Sequence, residues 1–443
     1  MRCVRKNGQG VSSPLLRPGW GSRYSPRGCG GVKGLGAGRV ELQGVADATG
    51  GKEKVATTYS EYYIYDQRAN RNEPVDLTGG QVSREGNELG DSSGKTVPQC
   101  NPPMKFDRQL DPWDPSLSEH GGGPAKPPSC CAPRPSREVT SLLIPTIAAP
   151  KRSPDSYRAT VSLPGGTFLM GTDYAQGFPA DGEGPIRAVE LSPFAIDTCP
   201  VTNADFAAFV QDTHYRTEAE TFGWSFVFWS HIPESRFEAV VEDTVAQTPW
   251  WCKVPGAMWN RPEGPDSNVE GRANHPVVHV SWNDDSAYAN WALKRLPTEA
   301  QWEYAARGGL EQKLYPWGDD LTPEGKHLCN IWQGQFPVED TGDDGFAGTS
   351  PVDAFPPNSY GIWSATGNVW EWCADWFDGG PPAERMRRDP AGPAHGDTKV
   401  MKGGSFLCHE SYCNRYRVAA RTSNTPDSSA SNIGFRCAGT SRS

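Results

Sequence analysis

Fourteen of the 16 tryptophans lie between Trp224 and Trp376, set among glycine, proline and asparagine, and almost no stretch sustains a helical period. Each such ring contributes only when buried, removing roughly 150–250 Å² from water. The residues around them punctuate regular structure rather than propagate it. The pattern predicts a compact domain with much irregular backbone, short strands and a few helices.

Three helices carry start signals. Thr202 and Asp205 form a capping box ahead of Phe206, Phe209 and Val210; Ser281 and Asp284 precede Ala287, Tyr288 and Trp291; Thr298 and Gln301 open a third that Gly308 stops. Short strands are expected at 159–163, 168–170, 188–191, 277–280 and 399–402, each bounded by Gly, Pro or Ser. No phosphate-binding glycine loop follows any of them, and no internal repeat is present. The Gly403-Gly404 pair would let the backbone approach a ligand closely.

Residues 1–150 hold 21 Gly and 16 Pro, a level that reads as a disordered tail, with the folded domain over 157–439. The tail carries 19 Lys/Arg against 15 Asp/Glu, whereas 151–443 carries 24 against 38. An acidic domain argues against nucleic acid and suits a basic peptide partner. No run approaches the roughly 18 apolar residues of a membrane span, and the Arg-rich, acid-free first 40 residues lack an apolar signal core. A soluble, cytoplasmic protein without a membrane partner is expected.

Of 12 cysteines, Cys3, Cys29, Cys100, Cys130 and Cys131 fall in the tail; Cys199, Cys252, Cys329, Cys373, Cys408, Cys413 and Cys437 fall in the domain. Seven cannot all pair among themselves, no CxxC suggests zinc, and a domain of this size needs no staple, which favours a reducing compartment. Cys408 and Cys413 stand out. They are five residues apart and flanked by His409, Arg415 and Arg417, so depressed pKa values and soft-metal binding as thiolates are expected. That separation is about 140° on a helix and opposite faces of a strand, so joint use requires a turn, which Ser411 and Asn414 favour. Two thiolates suit Cu(I) and leave room for a third from a substrate. A plain disulfide, or two buried thiols acting as small hydrophobes, stays open on the residues alone.

The segments PGGTFLMGT (164–172), TPWW (248–251), RPEGPDS (261–267), HPVVHVSWNDD (275–285), KRLPTEAQWEYAARGG (294–309), NIWQGQFP (330–337), GNVWEW (367–372) and the whole of 402–437 resemble the formylglycine-generating enzymes, or sulfatase-modifying factors. The resemblance implies an irregular α+β fold related to C-type-lectin-like modules. It implies O2-dependent oxidation of a cysteine, within a Cys-x-Pro-x-Arg segment of an unfolded or nascent sulfatase, to Cα-formylglycine, with a thiol or other reductant. Cys408 and Cys413 would ligate Cu(I), with Ser405 supporting the oxygen pocket and Trp370, Tyr412, Arg415 and Asn432 around the cleft; His409 could steady a thiolate.

DTGDDGF at 340–346 fails as an EF-hand, because Gly342 replaces a ligand acid and Pro351 stands where the bidentate Glu belongs. The resemblance instead implies structural Ca²⁺ at Asn330, Asp344 and the backbone of Ile331 and Phe346, and a second ion at Ser364, Gly367, Val369 and Glu371. Ser364 departs from the Asn of secretory members. Ala289, Ala306 and Val418 depart from their disulfide cysteines, and Trp224 from an Asp of their peptide groove. A catalytically silent, lectin-like paralogue and an iron-dependent sulfoxide synthase are the alternatives; the thiol pair disfavours the first. The second needs a His-rich site that eight histidines without an H-x-x-x-H pattern do not supply.

Overall fold

The computed structural model describes Pro133, residues 159–379 and 388–441, and the backbone of Leu35–Val45 and Lys54–Ile64. The chain divides into two units, Met1–Gln99 and Cys100–Ser443. In the first, Leu35–Val45 pairs antiparallel with Lys54–Ile64, Leu35 opposite Ile64; the sequence marks no strand there. The remainder of the tail assigned to 1–150, apart from Pro133, lies outside the described residues.

The second unit is α+β, as expected, with five α-helices among the described residues: α1 (Asn203–Thr213), α2 (Glu218–Phe222), α3 (Glu234–Val240), α4 (Trp282–Trp291) and α5 (Glu299–Arg307). The capping boxes at Thr202/Asp205, Ser281/Asp284 and Thr298/Gln301 are all formed, and Gly308 ends α5 in the left-handed region at φ 57°. A fourth box, Thr217 with Glu220, opens α2. Its signal was in the sequence, but five residues show no periodicity to go with it. α1 buries Phe206 and Phe209 against α4, with the Phe209 ring 5.6 Å from Tyr288 and 5.4 Å from Trp291.

Four of the five expected strands form, at Thr160–Leu163, Gly166–Met170, Arg187–Leu191 and Lys399–Lys402. The fifth, 277–280, does not: the Val277 N–H donates to Val201 and the His279 N–H to Ala430, two separate segments. His279 itself sits at φ 59°, which no continuous ladder accommodates. Phe194–Asp197, Trp224–Phe228, Thr248–Pro255 and Trp370–Trp376 are strands without an expectation. Phe194–Asp197, Trp224–Phe228 and Trp370–Trp376 are buried on both faces or nearly so, and the alternation that marks a half-exposed strand is missing there.

One four-stranded sheet positions the chemistry. Its order is Arg421–Asn424, Lys399–Lys402, Trp370–Trp376, Ile433–Gly434, and Lys402 pairs opposite Arg421. Those two strands are the pinned ends of loop 403–420, which carries both cysteines. The loop is largely buried, so its backbone must be satisfied from outside. Phe406 N–H donates to Asn368, Val418 N–H to Leu314, and the Cys408 carbonyl accepts from Trp332 N–H. Gly403 and Gly404 do allow a close approach, but to protein: at φ 94° and 74°, added Cβ atoms would meet the Trp302 ring at 3.1 Å and the Tyr416 backbone at 2.9 Å.

Beneath the loop lies a buried ionic layer. Glu303 of α5 takes Lys402 Nζ at 3.0 Å, Arg307 Nη2 at 2.7 Å and the Gly171 N–H at 2.8 Å. Burial alone would raise its carboxyl, but Lys402 and Arg307 outweigh that and hold it at about 2. Glu371 is likewise gripped by Arg436 at 2.6 and 2.7 Å and by Trp302 Nε1 at 2.8 Å.

Candidate active site

Cys408 and Cys413 converge as the turn requirement demands. His409 O accepts from both Tyr412 N–H and Cys413 N–H, curling the chain so that the two sulfurs lie 3.4 Å apart and fully buried. They are not bonded to each other. Cys413 is disulfide-bonded, and among the described cysteines Cys199, Cys252, Cys329, Cys373 and Cys437 are buried thiols.

Ser405 sits at the base of the pair. Its N–H points at Cys408 Sγ at 3.4 Å, and its hydroxyl oxygen accepts from Asn432 Nδ2 at 3.0 Å and Leu407 N–H at 3.3 Å. Asn432 is in turn fixed because its carbonyl accepts the Trp370 N–H at 2.9 Å, where Trp370 and Ile433 pair in parallel. Trp370 is fully buried, and its indole N–H has no hydrogen-bond acceptor. The expected Ser405, Trp370 and Asn432 thus share one hydrogen-bonded unit with Cys408.

The flanking charges divide unevenly. Arg415 Nη1 lies 3.8 Å from Cys413 Sγ, while its Nε pairs with Asp181 at 2.6 Å and its guanidinium stacks on Phe178 at 3.5 Å. Burial raises the Asp181 carboxyl despite that partner. Arg417 is committed to Glu183 through two bonds of 2.7 and 2.8 Å. The imidazole Nδ1 of His409 bonds Ser411 Oγ at 2.8 Å and serves the turn. Of the three basic neighbours, Arg415 is the one that faces a sulfur.

An aromatic wall completes the site. Tyr412 stacks on Phe336 at 4.7 Å and meets Trp250 edge-on at 5.2 Å, and Phe336 packs on Trp332 at 5.3 Å. Trp224 stands edge-on to Phe226 with Lys253 Nζ 4.9 Å above it. Trp250, Trp332, Phe336, Asp181 and Glu183 were not singled out by sequence. The two acids lie 234 positions from the arginines they hold, beyond any local signal.

A separate cavity of about 310 Å³ is lined by Cys329, Asn330, Ser364, Thr366 and Asn368, and neither Cys408 nor Cys413 borders it. It joins the two expected calcium segments. Asn330 Oδ1 is buried there without a partner, and Asp344 accepts from Ile331 and Phe346 N–H groups at 3.1 and 2.9 Å. Burial raises the Asp344 carboxyl. At the second segment Ser364 Oγ donates to the Val352 carbonyl at 2.8 Å, an added Cβ on Gly367 would strike Asn330 O, and Val369 is buried. Glu371 is occupied by Arg436 and Trp302.

Residues 146–441 match the sulfatase-modifying factor enzyme 1-like domain. The chain is 61% identical over 295 residues to the formylglycine-generating enzyme of Thermomonospora curvata, covering 65% of this chain and 96% of that one. It is 54% identical over 310 residues to the mouse formylglycine-generating enzyme, covering 70% and 82%. To the mouse inactive C-alpha-formylglycine-generating enzyme 2 it is 49% identical over 284 residues, covering 63% and 85%. The chain belongs to the sulfatase-modifying factor family, as an enzyme of the formylglycine-generating kind.

Proposed function

We propose that this enzyme oxidises the cysteine of a Cys-x-Pro-x-Arg segment in an unfolded or nascent sulfatase, using O2, a thiol reductant and one Cu(I) held by Cys408 and Cys413. The observation that carries the reading is the convergence of two buried sulfurs at 3.4 Å on a loop braced from every side. Soft sulfur donors fit Cu(I) and not a hard cation. Copper there would supply the one-electron chemistry with O2 that cysteine alone lacks. Reduction of the Cys413 disulfide frees the second thiolate, and Arg415 offsets its charge. Ser405 and Asn432 present a fixed polar edge beside Cys408, while Tyr412, Phe336 and Trp250 shut water from the sulfur and give an extended peptide an apolar wall.

The residues at Asn330 and Asp344 fit a structural Ca²⁺, because an orphaned buried oxygen and a half-buried carboxyl beside it suit a cation. Those at Ser364 and Glu371 do not, since Arg436 already fills that role. A silent paralogue would have no use for the thiol pair. His275 and His279 are taken by Thr349, Ser225 and Pro262, which leaves them no facial iron set to form.

Incubation of the reduced enzyme with a Cys-x-Pro-x-Arg peptide, copper and O2 should give the aldehyde mass on the peptide. A peptide recovered unchanged under those conditions sinks the reading.

A further inference from the structure

Phe406 stands between Ser405 and Cys408 in the chain, and it is 2% exposed. Its ring stacks on the imidazole of His231, with centroids 5.2 Å apart and planes 26° from parallel, while its N–H donates to the Asn368 carbonyl at 3.0 Å. One segment braces both holders. His231 Nε2 bonds the Ala347 carbonyl at 2.9 Å; Asn368 accepts the Ser350 N–H at Oδ1, 3.0 Å, and donates from Nδ2 to the Ser350 carbonyl at 3.1 Å. A carbonyl only accepts, so Nε2 carries the proton.

His231 ends the single turn Trp229–His231, which follows the strand Trp224–Phe228. It also meets Phe228 edge-on at 6.0 Å, and Phe228 lies 6.0 Å from Phe336, the ring on which Tyr412 stacks. One imidazole thus touches the base of the cysteine loop and the back of the aromatic wall.

We infer that His231 is a positioning residue for the oxidation proposed above, its ring face holding Phe406 and, through it, Ser405 and Cys408 in the reacting geometry. The inference rests on that reading. Phe406 closes a small turn in which the Leu407 N–H donates to Ser405 Oγ at 3.3 Å and the Cys408 N–H to the Ser405 carbonyl at 2.9 Å. A Phe406 ring free to swing would tilt that turn, and a displacement of about 1 Å at reacting atoms costs up to about 100-fold in rate. The bond to Ala347 sets the angle of the imidazole; its face fixes Phe406.

Two substitutions separate the face from the bond. His231→Gln keeps a donor for Ala347 and loses the face, whereas His231→Phe keeps the face and loses the donor. With a Cys-x-Pro-x-Arg peptide, His231→Gln should lower kcat about tenfold with KM within about twofold, and His231→Phe should restore kcat to about half the parent value or more. Melting temperatures of the two should fall by similar amounts, since each variant loses one contact of comparable strength. Equal kcat losses in both, or kcat that follows melting temperature, overturn the inference. Should His231→Gln fail to fold, Phe406→Leu removes the other half of the stack and is expected to show the same loss of kcat; a parent-like kcat there overturns the inference too. Iodoacetamide labelling of Cys408 in the reduced enzyme, mapped by mass, needs no turnover. It should run several-fold faster in His231→Gln than in the parent or His231→Phe, because a wholly buried thiol is reached only when the loop shifts. One labelling rate in all three overturns the positioning, whereas no aldehyde from any variant with labelling still separated strikes the oxidase reading alone.

Discussion

Two buried regions of the same domain are built on opposite principles. The seam between α1 and α4 is aromatic: Phe206, Phe209, Tyr288 and Trp291 interlock, and each helix starts at its own capping box. Loop 403–420 has no regular structure and stands on Lys402, Glu303, Arg307 and Arg436 below, with Asp181 and Glu183 at its side. The seam tolerates adjustment because apolar contacts are non-directional. The loop does not, because a charge that loses its buried partner is left at full desolvation cost. A site that must hold two sulfurs at one point is placed on the second kind of foundation.

The sharpest way to separate the two regions is through the sulfurs. In reducing buffer, Cys408→Ser or Cys413→Ser should abolish peptide oxidation while leaving the thermal midpoint near that of the parent, since serine keeps nearly the same volume at each buried position. Aldehyde formation near the parent rate by either variant would break the proposed mechanism. Ser405→Ala should be next in size. It removes the acceptor of Asn432 Nδ2 and is expected to lower kcat about 10- to 100-fold with little change in melting. Equal losses of kcat and stability would make Ser405 scaffold only.

Stability variants then test the foundations. Glu303→Gln removes the nearest carboxylate from both Lys402 and Arg307, leaving Lys402 only the more distant Glu299 at 3.9 Å, and should cost about 3–5 kcal/mol, with peptide oxidation lost in step. Phe209→Ala should cost a similar 3–5 kcal/mol by cavity formation, yet the folded fraction at low temperature should keep its kcat. Denaturant melts paired with single-temperature kinetics separate these outcomes. If Phe209→Ala also loses kcat, the seam is part of the site.

What could be read from sequence follows the same division. Three of the five described helices were legible because a capping box is local: Thr202 and Asp205 signal within four residues, whereas α3 has no side-chain cap and α2, though boxed by Thr217 and Glu220, is too short for a period. The cysteine pair, Ser405, Trp370 and Asn432 were legible through family resemblance, and the turn at His409–Cys413 through spacing. The pairings of Arg415 with Asp181 and Arg417 with Glu183 were not, because a charge in sequence does not announce a partner 234 positions away. The stretch at 277–280 misled for a related reason. Its apolar residues are buried by contact with two separate segments, and burial of that kind mimics a strand.

The smallest expected effect concerns acid at the foot of the α1–α4 seam. Glu218 is pushed up to about 7 by burial and by neighbouring Asp284. Asp284 is raised to about 6 by burial despite bonds from Ser281, Glu218 N–H and Tyr215. Asp285, with neither carboxylate oxygen bonded, is raised well above its usual value. A carboxyl with a higher pKa in the folded state stabilises fully below its unfolded pKa near 4.3, and that contribution is lost as pH rises through the folded value. Glu303 runs the other way, contributing above its ordinary range and losing that contribution as pH falls towards 2. Between pH 5 and 8 the seam should therefore weaken while the contribution of Glu303 stays constant. Glu218→Gln should flatten the fall in stability over that interval by about 1–3 kcal/mol, measured by thermal melts at several pH values. Parallel profiles for parent and variant would show that this cluster does not titrate there, and the contrast between a pH-sensitive seam and the pH-indifferent Glu303 would have to be dropped.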